Sequence, residues 1–222
     1  MPVQHPAHTA DRLVFMGRVR VHQHVNPLSP YYTARPRPVD LTKVFARPGQ
    51  PLHLDVGCAR GRFILRMAST ETEWNFLGVE IREPLVTEAN KIAAEQELTN
   101  LRYEFCNAMI WLGPLLEDIP NGLLQMVTIQ FPDPWFKKKH AKRRMVNPEL
   151  VEAVVNKLDA GGRIYVQTDI KFLAGEMFDL FRSTDELRET PIDENPFAIK
   201  TERERAVEIK GMPIYRAMFK KQ

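Results

Sequence analysis

The sequence predicts an α/β fold built on one doubly wound, mostly parallel sheet, and three observations support this prediction. From Pro51 onward, short apolar segments alternate with segments whose apolar residues recur at helical spacing. Residues 124–131 form a nearly continuous apolar run, which is typical of a strand at the centre of a parallel sheet. Residues 213–219 have the alternation of a strand, and we expect this last strand to join the sheet antiparallel to its neighbours.

Each of the first five predicted strands is followed by a predicted helix. The strands span residues 52–56, 75–81, 101–106, 124–131, 162–168 and 213–219. The helices span residues 63–67, 84–98, 108–116, 147–158 and 172–182. Ala and Glu favour a helix in the second of these segments, and Pro148 suits the first turn of the fourth. Strands that alternate with helices connect through right-handed crossovers, which gives a doubly wound sheet.

The chain divides into an N-terminal extension, residues 1–48, and one domain, residues 49–222, within which no linker is apparent. The extension is rich in Pro and His without sustained periodicity, and we expect its start to be disordered. Four of the six histidines lie in it: His5, His8, His22 and His24. Because these histidines lack acidic or Cys partners at ligand spacing, we expect no metal site.

The composition argues against several classes of protein. With 44% apolar and 27% charged residues, the chain is not disordered as a whole, and its net charge of +3 is not that of a polycation. Cys58 and Cys106 are far apart and outside any C-x-x-C pattern, which fits a reducing compartment and two small apolar side chains. No apolar run approaches the roughly 20 residues that span a bilayer, and the N-terminus lacks a signal-peptide core. We therefore expect a soluble, cytoplasmic protein.

The loops after four predicted strands carry residues suited to a small-molecule site. Ligands of doubly wound sheets bind beyond the carboxyl ends of the strands, near the point where the strand order reverses. Asp55 is the next-to-last residue of the first predicted strand, and Gly57 begins the loop after it, where a glycine lets a ligand approach the backbone closely. Glu80 ends the second strand, where a carboxylate can accept both hydroxyls of a ribose. Asn107 follows the third strand and suits an adenine edge, and Asp133 follows the fourth.

The spacing in the first loop favours one class of nucleoside ligand. A dinucleotide site carries three glycines in the pattern G-x-G-x-x-G. Here Gly57, Ala59 and Gly61 alternate, and Phe63 and Ile64 stand where the third glycine would fall. The loop therefore favours a nucleoside with an amino-acid tail, such as S-adenosylmethionine, although each glycine taken singly also fits a simple turn.

Asp133 lies between Pro132 and Pro134, immediately before a cationic segment. Because proline restrains the preceding residue towards extended geometry, we expect Phe131 and Asp133 to be extended and the carboxylate to be held in one direction. Trp135 offers a flat surface for a base, while the alternative is a rigid turn with a surface carboxylate. Six cations and no acid fall in residues 137–144. Such a run is often only solvated surface, but its place after this loop favours an anionic partner.

Several segments together resemble the tRNA (guanine-N7-)-methyltransferases. They are Leu54-Asp-Val-Gly-Cys-Ala-Arg-Gly61, Phe76-Leu-Gly-Val-Glu80, Phe131-Pro-Asp-Pro-Trp-Phe-Lys-Lys-Lys-His-Ala-Lys-Arg-Arg144, Gln167-Thr-Asp169, Thr201-Glu-Arg-Glu204 and Pro213-Ile-Tyr215. The first segment is shared by many methyltransferases, whereas the third is highly specific. Residues 20–29 are also similar to the N-terminal part of some members, so the resemblance covers nearly the whole chain.

The resemblance implies a Rossmann-like class I methyltransferase that uses S-adenosylmethionine to methylate N7 of a guanine in the variable loop of tRNA, guanosine 46 in standard tRNA nomenclature. The implied cofactor contacts are Asp55, Glu80, Asn107 and Asp133, and Asp133 is also the implied catalytic residue. The implied substrate contacts are Lys137, Asp169, Thr201 and Glu204. The implied RNA-binding residues are Lys139, His140, Lys142, Arg143 and Arg144.

Three positions depart from the residues that are usual in that family: Ala59 replaces a glycine, Asn107 an aspartate and Arg203 an aromatic residue. Thr201 and Glu204 also have a purely structural interpretation. Their spacing is that of a helix N-cap residue and a glutamate three residues later. From the residues alone, the two interpretations of this pair are equally good.

Three other functions stay open. A nucleotide-dependent oxidoreductase would bind NADH, but the missing third glycine argues against it. An RNA-binding subunit with a lost cofactor site is disfavoured because Asp55, Glu80 and Asp133 are all present. A methyltransferase that acts on another RNA or on a small molecule is the strongest alternative. We expect tRNA as the partner and a monomer or weak homodimer as the oligomeric state.

Overall fold

The computed structural model describes residues 25–222, in which seven strands and seven α-helices form the architecture. The strands are β1 Leu52–Val56, β2 Asn75–Glu80, β3 Leu101–Phe105, β4 Leu124–Gln130, β5 Leu158–Thr168, β6 Leu187–Thr190 and β7 Tyr215–Lys221. The helices are α1 Leu41–Val44, α2 Arg62–Thr70, α3 Glu83–Glu95, α4 Ala108–Leu115, α5 Pro148–Lys157, α6 Lys171–Arg182 and α7 Glu202–Ile209. None of these helices is long and apolar enough to cross a membrane.

The seven strands form one sheet in the order β3-β2-β1-β4-β5-β7-β6. Strands β1 to β5 pair in parallel, and β7 runs antiparallel between β5 and β6. The predicted doubly wound, mostly parallel sheet with an antiparallel C-terminal strand is therefore confirmed. Because the chain winds outward in one direction from β1 and in the other from β4, the crevice for a ligand lies past the carboxyl ends of these two strands.

Strand β1 is buried along its whole length because helices cover both faces of the sheet around it. One apolar cluster packs α2 and α3 against the sheet, with Phe63, Ile64 and Val86 among its buried residues. A larger cluster packs α4, α5 and α6, with Leu112, Val154 and Phe181 among its buried residues. This rigid packing fixes the strand ends, and so it fixes the positions of the loops that form the candidate site.

Part of the predicted N-terminal extension packs on the domain. Val39, Leu41 and Phe45 are buried in the larger apolar cluster. The backbone N–H of Val39 donates to the carbonyl of Leu115 at 2.9 Å. The boundary near residue 49 stays a prediction, and the expectations for His5, His8, His22, His24 and a disordered start concern residues outside the described range.

Two elements near the chain ends, β6 and α1, were not predicted, and α7 was indicated only by the N-cap spacing at Thr201; all three lack the periodic apolar signal that predicts an element. Strand β6 buries only its first residue, so it resembles a polar loop in sequence. Helix α7 has the sequence ERERAVEI and buries only Glu204 and Val207. Helix α1 has four residues and begins at the N-cap Asp40, whose side chain accepts from the N–H of Thr42. Such elements form because of tertiary contacts rather than intrinsic propensity.

Candidate active site

A cleft with a volume of about 720 Å³ opens beyond the carboxyl ends of β1, β2 and β4. Small-molecule sites in proteins usually have volumes of roughly 300–1,000 Å³. The residues predicted for the site that line this cleft are Asp55, Gly57, Glu80, Asn107, Asp133, Arg143, Asp169 and Thr201. The predicted residues that are not among its lining residues are Lys137, Lys139, His140, Lys142, Arg144 and Glu204. The structure thus places every residue predicted for the cofactor at one cleft. Of the residues predicted for the substrate and the RNA, it places some at this cleft and the others outside it.

The turn between β1 and α2 lines the cleft and has an unusual backbone. Gly57, Ala59 and Gly61 all have left-handed conformations, with φ of 79°, 52° and 68°. A Cβ atom on Gly61 would lie 2.1 Å from the ring of Tyr103, so no other residue fits there. Ala59 adopts a conformation that costs an L-residue roughly 1–2 kcal/mol, which gives a physical reason for glycine to be usual at this position.

Glu80 is buried and already has several hydrogen-bond donors. Its carboxylate accepts from the N–H of Ala59 at 2.9 Å and from Nε of Arg82 at 2.8 Å. Burial lowers the pKa of Arg82, but the hydrogen bond to Glu80 and the charges of Glu80 and Asp133 outweigh it, so the pKa is raised. Arg82 therefore connects the carboxylate predicted to bind the ribose with the carboxylate predicted to be catalytic. Sequence reasoning missed Arg82, whose only signal is its position two residues after Glu80.

Asp55 is a buried carboxyl group that titrates near neutral pH. Burial raises its pKa to about 6, against the opposing effect of a hydrogen bond from the Thr128 hydroxyl at 2.6 Å. The same hydroxyl lies 3.1 Å from Nε2 of His53, whose pKa burial lowers to about 3. Because His53 is neutral at physiological pH, Asp55 has no cationic partner on this side. A cation that entered the cleft could supply one.

Asn107 holds the segment before residue 33 across the end of β3. Its side-chain amide donates to the carbonyl of Pro27 at 2.8 Å and to that of Tyr32 at 3.3 Å. The ring N–H of Trp111 donates to the next carbonyl, that of Thr33, at 3.1 Å. Pro27 also lines the cleft. The amide N–H groups of Asn107 are thus engaged with the backbone, and its predicted contact with adenine stays a prediction.

Neither cysteine is a thiolate. Cys58 and Cys106 are free and both line the cleft. Burial raises the pKa of Cys106 to about 12 and that of Cys58 well above its usual value. A neutral thiol is a poor nucleophile, so both side chains contribute apolar surface.

The loop after β4 has a strained backbone on both sides of Asp133. Phe131 has a φ of 51° and Trp135 a φ of 44°. The prediction that Phe131 would be extended because it precedes a proline was therefore wrong. Its N–H donates to the carbonyl of Gln167 at 2.8 Å, which ties it to β5 in the left-handed conformation. Such strain costs about 1–3 kcal/mol per residue and is concentrated in functional loops, where surrounding structure imposes it.

The cationic segment, residues 137–144, contains a short 3₁₀ helix, Lys138–Arg143, and its two arginines have different environments. The guanidinium of Arg143 lies over the ring of Trp135, 5.0 Å from the ring centroid. Arg143 lines the cleft, and its Nε is buried without a hydrogen-bond partner among residues 25–222. Arg144 instead donates from Nε to the carbonyl of Pro134 at 3.1 Å and forms an ion pair with Glu176. Arg143 can therefore bind an anion, whereas Arg144 fixes the Asp133 loop to α6.

The C-terminal residues implied by the resemblance divide in the same way. Asp169 lines the cleft and forms an ion pair with Arg203, which stands where the family usually has an aromatic residue. The hydroxyl of Thr201 accepts from the N–H of Glu204 at 3.1 Å, so its interpretation as an N-cap is confirmed. The Glu204 carboxylate is fully buried and bonded to Arg216 at 3.0 Å. It has a structural partner and does not reach the cleft.

Relatives of known name match the chain over almost its whole length. A family model described as "Putative methyltransferase" matches residues 49–217. A tRNA (guanine-N(7)-)-methyltransferase from Trichormus variabilis is 52% identical over 207 residues, which cover 91% of this chain and 96% of the relative. Another from Synechococcus elongatus is 53% identical over 210 residues, which cover 93% of this chain and 99% of the relative.

Solved structures of other methyltransferases share the fold at low sequence identity. An rRNA methylase from Streptococcus thermophilus is similar with a TM-score of 0.51 and 11% identity, over 82% of this chain and 91% of its own. A precorrin-6y C5,15-methyltransferase from Geobacter metallireducens has a TM-score of 0.53 and 12% identity, over 78% of this chain and 81% of its own. The predicted Rossmann-like class I methyltransferase fold is thus confirmed. The sequence identity of the chain to the two named relatives, together with this fold, shows that the chain belongs to the tRNA (guanine-N7-)-methyltransferase family.

Proposed function

We propose that the protein transfers a methyl group from S-adenosylmethionine to N7 of a guanine in tRNA, at guanosine 46 of the variable loop. The observation that carries this proposal is the position of Asp133 in the cleft. Asp133 lines the same cleft as Asp55 and Glu80, which form the proposed nucleoside side, and as Arg143, which forms the proposed anion-binding side. A methyl donor and a nucleic-acid base can therefore meet at one carboxylate.

The cleft fits the proposed donor. Gly57 and Met145 both line the cleft, and a Cβ atom on Gly57 would lie only 3.3 Å from the side chain of Met145. The absence of a side chain at Gly57 therefore leaves a gap in the cleft that a ligand can occupy. The buried carboxyl group of Asp55 suits the ammonium of an amino-acid tail, because a buried charge needs an opposite charge. Glu80 suits the ribose hydroxyls if they share its carboxylate with Arg82 or replace this arginine. The donor supplies an electrophilic methyl group on a sulfonium, and no metal is required for its transfer.

Alignment accounts for most of the catalysis in this proposal. Guanine N7 has a lone pair and no proton, so no general base is needed for its attack on the methyl carbon. The protein would instead hold the guanine and the donor so that N7 and the methyl carbon face each other. When bound, the donor would supply the methyl group with a positive charge that passes to the purine ring, and the sulfur would leave with the electron pair of the broken bond. A fixed carboxylate at Asp133 orients the donor edge of the guanine and stabilises the arriving charge.

Donor binding should depend on pH through Asp55. Its pKa of about 6 means that the carboxylate is charged above pH 6 and neutral below it. We expect the Kd for S-adenosylmethionine to rise about tenfold for each pH unit below the pKa of Asp55, as measured by isothermal titration calorimetry. The pKa lies above that of an unfolded aspartate, so protonation of Asp55 stabilises the fold in this pH range. Weaker binding would thus not reflect unfolding caused by Asp55.

The Asp55→Asn variant is the control for this pH dependence. It should bind the donor weakly at every pH and show no transition near pH 6. A wild-type Kd that stays constant between pH 5 and pH 7, or an Asn variant with the same transition, would exclude this role for Asp55.

Arg143 and Arg144 should respond differently to replacement by alanine. Loss of Arg143 should weaken tRNA binding. It should also make the negative slope of log K against log salt concentration less steep by about 0.7–0.9, because one phosphate contact is lost. Loss of Arg144 should instead destabilise the protein by about 1–3 kcal/mol, because the carbonyls of Pro134 and Trp135 and the carboxylate of Glu176 lose their donor. Filter binding at several salt concentrations and thermal unfolding measure the two effects. A changed salt slope in the Arg144 variant together with a loss of stability in the Arg143 variant would contradict these two roles.

Mapping the modified nucleotide tests the proposed function. Unmodified tRNA transcripts are incubated with the protein and labelled donor, and 7-methylguanosine is located by reduction and aniline cleavage. We expect a single site at guanosine 46 and no label on a transcript with adenosine at this position. Label at another nucleotide would correct the site, and absence of label on any tRNA would overturn the proposed substrate. The proposal also includes a cytoplasmic location and a monomer or weak homodimer.

A further inference from the structure

Two phenylalanine rings are exposed beside the mouth of the cleft. Phe136 lines the cleft three residues after Asp133, and 67% of its surface is exposed. Phe172 comes from the first turn of α6 and is 40% exposed. The two ring centroids lie 5.9 Å apart with an interplanar angle of 63°. Two separate elements thus present one aromatic surface to solvent, at the place where a substrate would enter.

The charges around this aromatic surface are mainly positive. Lys137 and Lys138 follow Phe136 directly, and Lys171 directly precedes Phe172; all three lysines are exposed. The guanidinium of Arg144 lies 5.0 Å from the Phe172 ring centroid, and Glu176 neutralises this one arginine. None of these three lysines forms an ion pair within residues 25–222, and an apolar protein partner gains nothing from them. A single-stranded nucleic acid offers both a π face for the rings and phosphates for the cations.

We propose that Phe136 and Phe172 form a stacking platform for an unpaired base adjacent in sequence to the guanine that enters the cleft. This inference rests on the proposed function and extends it to a second nucleotide. A base that enters a pocket loses its stacking partners in the RNA, and so does its neighbour. The platform compensates the neighbour, while Arg143 and Trp135, which stack on each other and line the cleft, remain available to the target nucleotide. The platform tolerates any base, because every base has a π face.

Alanine replacements test the platform by its effect on affinity and on the salt dependence of affinity. Each of Phe136→Ala and Phe172→Ala should raise the Kd for unmodified tRNA about tenfold, as expected for loss of one stacking contact. The slope of log K against log salt concentration should stay at the wild-type value because stacking releases no counterions, in contrast to Arg143→Ala. Phe136→Tyr and Phe172→Tyr should restore wild-type affinity. Ile209→Ala is the matched control, because Ile209 is 86% exposed and does not line the cleft.

Fluorescence gives a direct readout of the stacked base. 2-Aminopurine is placed on the 5′ or the 3′ side of the target guanine, and its fluorescence is followed as each protein binds at saturation. One of the two positions should be quenched by wild-type protein and by the tyrosine variants, and not by the double alanine variant of Phe136 and Phe172. If wild-type protein methylates tRNA while the double variant shows unchanged Kd and unchanged quenching, the platform is excluded and the proposed function stands. If wild-type protein methylates no tRNA, both proposals fail.

Discussion

Replacement of Asp133 by asparagine should slow methyl transfer by roughly 10²–10³-fold, the usual effect of removing one preorganised electrostatic group from an active site. Asparagine keeps the shape of the side chain and the two flanking prolines, but it removes the negative charge that stabilises the developing cation. Single-turnover rates at saturating donor and tRNA measure this loss. The Kd values for tRNA and for S-adenosylmethionine should change much less than the rate.

Asp193→Asn is the matched control for this experiment, because Asp193 is an exposed carboxylate that does not line the cleft. It should leave the rate unchanged. An Asp133→Asn variant that lost tRNA affinity as strongly as its rate would show a binding role only. In that case the alternative interpretation, a rigid turn with a surface carboxylate, would gain support.

Replacement of Glu204 by alanine should lower the free energy of unfolding by about 3 kcal/mol, the low end of the effect of breaking a buried ion pair, because Arg216 would lose its partner at 3.0 Å and keep only Glu208 at 3.8 Å. The amides of Gln167 and Asn195 would also lose an acceptor, since both donate to this carboxylate, at 3.1 and 2.7 Å. In a chain of this size the midpoint of thermal unfolding moves by about 2–4 °C per kcal/mol. Circular dichroism during heating and urea titration measures the change.

Glu202→Ala is the control on the same helix. Glu202 forms an exposed ion pair with Arg62, and exposed pairs contribute about 0–1 kcal/mol. If Glu204→Ala unfolds like wild-type protein and instead raises the KM for tRNA, then Glu204 contacts the substrate as the family resemblance implies. A large loss of stability shared by the Glu202 variant would point to a general fragility of α7.

The sequence was sufficient for the parts of the structure that depend on local periodicity. Strands β1 and β4 are mostly apolar because helices cover both faces of a central parallel strand, so their sequences are easily recognised. Parallel strands end at one edge of a sheet. The residues at or just past the carboxyl ends of four strands, Asp55, Glu80, Asn107 and Asp133, therefore had to lie at the same cleft once the fold class was correct.

Local rules failed where a contact distant in sequence outweighs a local preference. The restraint from Pro132 favours an extended Phe131, yet the hydrogen bond from Phe131 to Gln167 holds this residue at a φ of 51°. Helix α7 has no apolar stripe, and the only local signal for it is the cap at Thr201. The distant ion pair of its buried Glu204 with Arg216, which also stabilises it, is not visible in the sequence.

The sequence by itself thus determined the α/β fold, the carboxylate between two prolines and the dense positive charge that follows it. Only the tertiary structure decided which of these charges are available to a ligand. Arg143 and Arg144 are adjacent and chemically identical, but one lines the cleft and the other pairs with Glu176 on α6. Arg82 likewise interacts with the charges of both Glu80 and Asp133 because the loops after β2 and β4 approach each other. The physical reason is that an ion pair depends on distances in space, whereas the sequence specifies only the order of residues along the chain.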